Sequence, residues 1–486
     1  MIQTAGDNTP AVTGSGVSFD TPMSRLMHPR PLTCGSDIAI SQAVARMHER
    51  GVGSIVITDD GVTPQGIFTV HDLRRLVAGG TALGRPVSEA MTSEPWTLEA
   101  DLPAFEGVLA LAAHGIRHIV LVRDGCLVGV VSERDLFALK RIEVVELIRH
   151  IDRARSIEAL ADSRRGVMRL VDSLMAYGAA ASHITRVLTL LNDHTVARAV
   201  ELGLEEVGDP GVDFTWLAFG SEGRCEQTLL TDQDNGILFQ PGDDGIEAGR
   251  ERLLPVARRI NEILAECGFS LCQGGIMASN PRLCLSYDEW RQRFDGLIRT
   301  NTPENLLQSS IYFDLRPVHG PQQPVMELRS AVWEQAAGSS LFRRMMAANA
   351  LQQRPPVGLV RDFATQRDAD GQRRLDLKRG GLTPFVDAAR LLSLEGRITE
   401  TNTQRRFAAV AEAGLVDADA AAAWSSSFSY LQLRRLQLHQ EQARMGEVLS
   451  NRVNPRTLNS MDRRVLKEAF RQARELQKRL AVRYQL

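Results

Sequence analysis

Residues Phe219–Phe239 read FGSEGRCEQTLLTDQDNGILF, and this stretch decides how the middle of the chain folds. The apolar run Trp216–Phe219 leads into Gly220-Ser221, a polar turn follows, and the apolar run Gly236–Phe239 comes just after two aspartates one residue apart. That succession reads as strand, tight turn, short helix, strand. On an extended chain residues i and i+2 share a face, so Asp232 and Asp234 point the same way with their carboxylates close together. Like charges that close repel unless a cation lies between them. Mg²⁺ suits the place, because it takes oxygen ligands and shares them with substrate phosphates. Gly220 lets the backbone approach a phosphate, Ser221 adds a hydroxyl, and the following helix offers N–H groups. The local pattern alone also fits a polar hairpin with an aspartate-rich turn.

The surrounding chain restricts the choice. Its 486 residues suffice for roughly two to four domains, each with a core of its own. A net charge of −2 argues against a general nucleic-acid binder, which needs a clear basic excess. The six cysteines form no C-x-x-C pair and no zinc-like spacing with histidine, so they read as reduced thiols of a cytoplasmic protein. No apolar run approaches the roughly 20 residues that span a bilayer, so no membrane is expected. The opening MIQTAGDNTPAVTGSGVSFDTP lacks the basic start and apolar centre of a signal peptide and reads as a loose tail.

An internal repeat organises the front of the chain. Aligning Leu26–Cys34 with Ala90–Leu98 superposes Met27, Pro31 and Thr33 on Met91, Pro95 and Thr97. Arg50–Thr58 then falls on His114–Val122, and Gly66–Leu73 (GIFTVHDL) on Gly129–Leu136 (GVVSERDL). Each copy reads as an amphipathic helix, a β-branched strand, a turn, a second strand and a closing helix. The doubled Met-x-x-x-Pro start and G-h-h-[ST]-x-x-D ending resemble a tandem CBS pair, or Bateman module. The resemblance implies an adenine-nucleotide ligand held by Thr69 and Asp72 in the first copy and by Ser132 and Asp135 in the second. An aspartate in this position is also a good helix cap. CBS modules often pair face to face, which implies a homodimer.

From Arg141 to about Leu204 the apolar spacing turns helical, with Val167, Leu170, Val171 and Leu174 on one face. Gly208–Asp213 (GDPGVD) marks a break. Beyond Gly320 the pattern is almost wholly helical, interrupted by the polar segment Arg367–Gly381. The last helix sets Val465, Ala469, Ala473, Leu476 and Leu480 against a basic face, which reads as solvated.

Gly-Ser, ten residues and then Asp-x-Asp is similar to the signature of the polymerase-beta-like nucleotidyltransferase superfamily. Within it, G-S-x-G-R-x-E before the aspartates and D-L-R after them resemble bacterial nitrogen-regulatory uridylyltransferases and glutamine-synthetase adenylyltransferases. Closer still is the group that joins CBS repeats to this catalytic unit and a helical substrate-binding domain. The resemblance implies two Mg²⁺ or Mn²⁺ ions on Asp232, Asp234 and Asp314. Asp314 is expected on an apolar strand within Ser309–Gly320. Gly220, Ser221 and Arg224 are implied at the triphosphate, with Glu226 structural, and Gly274–Arg282 is either a loop near the nucleotide or a plain turn. Lys378 and Arg379, in a Gly-Gly segment, complement the triphosphate or simply open a helix. The superfamily usually has apolar residues where this chain has Gln233 and Asn235, which implies exposure of that face or a helical domain packed through hydrogen bonds.

The fold class expected is multidomain α/β and α. Residues 1–20 form a tail, 21–142 the CBS pair, 143–207 a helical linker, 208–325 the nucleotidyltransferase domain and 326–486 a helical bundle. The function expected is transfer of an NMP group from an NTP to a hydroxyl of a protein or small molecule, regulated through the CBS pair. The alternative is a catalytically inactive nucleotide-sensing binding protein.

Overall fold

In the computed structural model the chain is described over residues 19–133, 135–136, 142–176, 178–300, 302–357, 363–367 and 371–486. Most of the expected tail, most of the closing helix of the second repeat and residues 368–370 of the polar interruption lie outside the described residues. The chain divides into two compact units, Met1–Ile148 and Arg149–Leu486.

The first unit is built by the repeat. Helix Ile40–Arg50 buries Ile40, Ala43 and Met47, one stripe at helical spacing, and ends on Gly51 at φ 63°, in the left-handed region. Strands Ser54–Ile57 and Gly66–Thr69 follow as an antiparallel pair. The second copy repeats this with helix Ala104–His114 and strands His118–Arg123 and Cys126–Ser132. The two copies interlock by exchanging edge strands. His28–Pro29, from the start of the first copy, pairs with Cys126–Ser132, and Thr92–Ser93, from the start of the second, pairs with Gly66–Thr69. This explains two residues of the repeat motif. A Cβ on Gly66 would meet Met91 Sδ at 2.2 Å and one on Gly129 would meet Met27 Sδ at 2.5 Å, so each methionine fills the space that the other copy's glycine leaves open. Val56, Ile67, Val120 and Val130 form one small core, two residues from each copy.

In the second unit a four-stranded mixed sheet runs in the order Cys284–Ser286, Asn235–Phe239, Phe214–Ala218, Arg316–His319. Its central pair is antiparallel, with Asn235 opposite Ala218, while Cys284–Ser286 runs parallel to Asn235–Phe239. The helices Ile157–Ala176, Ala181–Val207 and Ile246–Glu266 belong to the same unit. An aromatic cluster of Phe219, Trp290, Phe294, Tyr312, Phe313, Trp333 and Phe342 joins the sheet to the C-terminal helices in one continuous core. Those helices include Thr383–Glu395, Thr403–Glu412, Ala418–Met445 and Ser460–Arg483. The helical pattern hid a small antiparallel sheet of Gln366–Arg367, Arg373–Asp376 and Arg452–Val453, because its strands are too short and polar to alternate visibly.

The strand expected across Ser309–Gly320 is different. Residues Pro303–Tyr312 form a helix, capped by Thr302 Oγ1 accepting from Asn305 N at 3.1 Å, and only Arg316–His319 is strand. Thr302-Pro303 is a helix-start signal. The buried positions Leu306, Ser309 and Tyr312 follow the helical period, which overrides the strand-like composition of Ile311–Phe313.

Gln233 and Asn235 face inward, opposite to Asp232 and Asp234. Asn261, on helix Ile246–Glu266, donates to Gln233 Oε1 at 2.8 Å and Asn235 Oδ1 at 3.0 Å. Gln233 Nε2 returns bonds to the carbonyls of Asn261 and Phe269 at 3.0 and 3.1 Å. Ala278 N and Ser279 N close the network on Asn235 Oδ1 and Asn261 Oδ1. These polar residues are packed through hydrogen bonds, as one of the two implied explanations has it, but against helix Ile246–Glu266 of the same region and not against the helical domain. Asn261→Leu leaves several buried polar groups unpaired and should cost about 3 kcal/mol in denaturant unfolding, because each buried group without a partner costs roughly 1–3 kcal/mol.

Candidate active site

Gly220 stands at φ 56°, and a Cβ there would meet Asp234 Oδ2 at 3.0 Å, so the turn takes its shape only with glycine. A single helical turn, Gly220–Gly223, follows. Among the described residues no partner is recorded for the N–H groups of Gly220, Ser221 and Glu222, whereas Gly223 N and Arg224 N bond back to Phe219 O and Gly220 O. Asp234 O accepts from Phe219 N at 2.8 Å, and Asp232 bridges to Ser270, so the two aspartates lie on extended chain just before the strand. Asp232 is exposed and Asp234 half-buried. Burial pushes the Asp234 carboxyl up from its ordinary range and Asp232 adds to this, against the lowering pull of the Cys272 thiol and Lys378. Gly274–Arg282 lies behind this edge, its Ala278 and Ser279 tied into the amide network.

Asp314 departs from expectation. It follows helix Pro303–Tyr312 and is 0% exposed. Its Oδ2 accepts from Arg224 Nη1 and Arg390 Nη2, each at 2.6 Å, and its Oδ1 accepts from Arg406 Nη1 at 2.7 Å and Arg390 Nε at 3.2 Å. Burial alone would raise this carboxyl's pKa, but Arg390, Arg406 and Arg224 outweigh it and hold it well below the usual range. The third carboxylate is therefore corrected from metal ligand to buried counter-ion, since both of its oxygens are taken by guanidinium groups. Gly223 makes room for it: a Cβ there would lie 1.6 Å from Asp314 O.

Arg224, implied at the triphosphate, belongs to the same ion network through two of its three guanidinium nitrogens. Its Nε donates to Glu226 Oε2 at 2.8 Å and its Nη1 to Asp314. Glu226 is structural, as expected. Its Oε1 accepts from Thr403 N at 2.6 Å, at the start of helix Thr403–Glu412. Asp387 pairs with Arg390 Nη1 at 2.7 Å, so Asp314, Glu226 and Asp387 balance Arg224, Arg390 and Arg406.

Arg316, Glu222 and Arg390 are given no role by the sequence reading, whereas Lys378 and Arg379 are. Arg316 grips Asp193 through two bonds of 2.8 Å and also donates to Glu222 O. Glu222 is buried and its Oε1 has no hydrogen-bond partner among the described residues. Burial, followed by Asp193, pushes its carboxyl up to about 8 against the pull of Arg316, so it is largely protonated at neutral pH. Lys378 stands on a π-helical turn, Leu377–Leu382, that Asp376 Oδ1 fastens by accepting from Lys378 N and Arg379 N at 2.9 and 2.8 Å. Its ammonium feels both Asp232 and Asp234. Arg379 is exposed. Arg390 carried a visible signal, an arginine inside the apolar helical run PFVDAARLLSL.

The pair Asp232/Asp234 fits one divalent cation whose shell is completed by phosphate and water. A cage of three carboxylates is not formed. Among the described residues no cluster of three or more His, Cys, Asp or Glu side chains is arranged to hold a metal.

In the CBS pair the nominated residues are joined two by two. Asp72 Oδ2 accepts from Thr69 N at 3.0 Å and Thr69 Oγ1 at 2.8 Å, a reciprocal helix cap, and its Oδ1 meets Arg75 at 3.2 Å. Asp135 Oδ2 accepts from Ser132 N at 2.7 Å and Ser132 Oγ at 2.6 Å, while His28 Nε2 lies 2.9 Å from Oδ1.

The glycine turn facing an Asp-x-Asp edge, with helices packed on its sheet, agrees with the family comparison. The family described as "Putative nucleotidyltransferase DUF294" matches residues 165–304, its "Putative nucleotidyltransferase substrate binding domain" matches 340–484, and the CBS domain matches 23–79 and 87–141. The chain belongs to the CBS-containing DUF294 nucleotidyltransferases.

The curated relatives it matches share a much shorter region. Arabinose 5-phosphate isomerase GutQ of Salmonella typhi is 33% identical over 100 residues, which is 20% of this chain and 31% of the isomerase. YlbB of Bacillus subtilis is 33% identical over 102 residues, 20% of this chain and 67% of that protein. This chain thus spans about a third of the isomerase's length. Among solved structures, a conserved protein from Pyrococcus horikoshii is 30% identical, covering 25% of this chain and 92% of its own, with a TM-score of 0.24. The CBS domain protein PAE2072 from Pyrobaculum aerophilum, complexed with AMP, is 28% identical over 24% of this chain and 88% of its own, with a TM-score of 0.23. Among the described residues no helix is long and apolar enough to cross a membrane.

The ion network gives this DUF294 domain a testable acid sensitivity. Asp314→Asn leaves three buried arginines short of a counter-ion and should lower stability at neutral pH by about 3–5 kcal/mol. Because the folded-state pKa of Asp314 is depressed, its contribution is present in full above the unfolded value near 3.8 and is lost progressively as pH falls from there through the much lower folded-state value. The difference in urea unfolding between variant and wild type should therefore be full at pH 7 and begin to shrink only below about pH 4.

Proposed function

We propose that the chain transfers a nucleoside monophosphate from an NTP to a hydroxyl of a protein or small molecule. The observation that carries this reading is the Asp232/Asp234 edge set against the Gly220–Gly223 turn with its three unpartnered N–H groups. Asp232 and Asp234 would hold a Mg²⁺ or Mn²⁺ ion, which supplies charge neutralisation at the phosphates and favours departure of pyrophosphate. The N–H groups of Gly220, Ser221 and Glu222 and the Ser221 hydroxyl bind phosphate oxygens and orient the α-phosphorus. Glu222, uncharged at neutral pH, adds no repulsion to the incoming anion. Arg224 and Asp314 act from behind, fixing Gly223 and hence the turn.

A second reading, a nucleotide-sensing protein without turnover, is favoured by the engagement of Asp314 in the arginine network. Pyrophosphate release from each of the four NTPs with Mg²⁺ or Mn²⁺, in the presence of bacterial lysate as acceptor source, separates the two. Release by wild type that falls to background in both Asp232→Ala and Asp234→Ala, with folding retained, is the expected result. Release unaltered by either substitution sinks the carboxylate assignment.

The same proposal has the CBS pair bind an adenine nucleotide and shift the transferase between states of different activity, in a chain that pairs with a second copy through these modules. Asp135 is the test residue, since its own segment and His28 already hold it in place. Asp135→Ala should weaken AMP or ATP binding in calorimetry by roughly ten-fold, the loss of a charge-assisted hydrogen bond. Undiminished affinity removes this residue from the site.

A further inference from the structure

Four arginines are buried among the described residues, namely Arg224, Arg390, Arg406 and Arg435. The first three are ion-paired with carboxylates. Arg435, on helix Ala418–Met445, is 4% exposed and has no carboxylate within ion-pair distance. Its Nε donates to a neutral acceptor, Asn451 Oδ1, at 2.6 Å, and its Nη1 and Nη2 have no hydrogen-bond partner among the described residues. Neither terminal nitrogen is among the fully enclosed atoms that lack a partner, so both border open space. A second cation lies beside it. Lys378 feels the charge of Arg435, and no hydrogen bond or ion pair of its ammonium is recorded among the described residues. His439, which shares Asn451 Oδ1 with Arg435, is held neutral by burial and by Arg435, so it adds no further positive charge.

A buried guanidinium without an anion costs several kcal/mol, and a fold that pairs its other buried arginines has no structural need of this one. The carboxylates that bear on the two cations point to the missing anion. Gln432, just before Arg435 on the same helix, donates to Glu226 O at 3.3 Å, and Leu377 N, just before Lys378, donates to Asn451 O at 2.9 Å. Both cations thus stand where the C-terminal helices meet the turn ahead of the carboxylates; there Asp232 acts on both Arg435 and Lys378, and Asp234 on Lys378. Asp376 and Glu226 also favour the charge of Arg435, and Arg224 opposes it.

We propose that Arg435 and Lys378 form the seat of the β- and γ-phosphates of the NTP, so that the C-terminal helices supply the cations that receive the leaving pyrophosphate. This deepens the transferase reading and rests on it for the identity of the anion. When the acceptor oxygen bonds to the α-phosphorus, the bridging P–O bond to the β-phosphate breaks and its electron pair stays on pyrophosphate, while the acceptor hydroxyl releases its proton. The planar fork of Arg435 and the ammonium of Lys378 meet the negative charge that arrives there. An unpaired cation pair in the empty protein is then the means of recognising a polyphosphate.

The test is binding of inorganic triphosphate to the full-length protein in EDTA, by calorimetry and by thermal shift, which needs neither metal nor acceptor. Wild type is expected to bind and to gain thermal stability, as any ligand that binds only the folded state confers. Arg435→Gln and Lys378→Gln should each bind roughly ten-fold or more weakly, with Arg435→Lys intermediate because it keeps the charge but loses the fork. Circular dichroism verifies that each variant is folded, and Lys378→Gln, at a partly exposed position, serves if Arg435→Gln is not. Wild-type affinity in folded Lys378→Gln and Arg435→Lys overturns the inference. Asp232→Ala separates it from the transferase reading: abolished NTP turnover with retained triphosphate binding supports both. Triphosphate binding that depends on Arg435 and Lys378, in a protein that releases no pyrophosphate from any NTP, supports the subsite while the transfer reaction falls.

Discussion

Three guanidinium groups on one buried carboxylate hold this protein's second unit together. Asp314 joins Arg224 of the glycine turn to Arg390 and Arg406 of two separate C-terminal helices, and none of the four is more than marginally exposed. Its cohesion depends on completeness. Glu226 and Asp387 supply the two further negative charges, and Glu226 also receives the first N–H of helix Thr403–Glu412. Buried charges on this scale are tolerated only when each is neutralised and hydrogen-bonded. The helices are therefore locked onto the sheet in one register, and the backbone of Asp314 lies against Gly223, at the end of the glycine turn.

Against that balanced network, the opposite edge of the same turn is unbalanced. Among the described residues Asp232 and Asp234 repel one another, Glu222 is buried with an oxygen unpaired, and Arg435 and Lys378 carry charge without a counter-ion within ion-pair distance. Groups placed this way lower the stability of the protein, and on the proposed function a polyphosphate and a divalent cation would relieve that cost. The amide network of Gln233, Asn235 and Asn261 allows this, because it fixes the backbone from behind without adding charge.

The CBS pair was legible because its evidence is doubled. Met27 and Met91, Gly129 and Gly66, Asp72 and Asp135 recur in register, and the structure gives each pair the same job in both copies. The Asp-x-Asp edge was legible for a simpler reason: a period of two places its residues whatever surrounds them, and Gln233 and Asn235 confirm it by facing the other way. Asp314 was misread because a run of Ile, Tyr and Phe has the composition of a strand, while the signal that decides it, Thr302-Pro303, lies some ten residues upstream. Its arginine partners lie about 75 to 90 positions away in either direction, beyond the reach of any local pattern.

The sequence by itself determined the domain types, the glycine turn and the facing of the two aspartates, since each rests on short-range periodicity or on a repeat. Only the tertiary structure decided which charges are paired inside the fold and which are left without a counter-ion among the described residues. Arg224, Arg390, Arg406 and Arg435 have the same chemistry, and nothing local separates them. The difference is whether a carboxylate from a distant segment is folded against them, and that depends on how the helices pack onto the sheet.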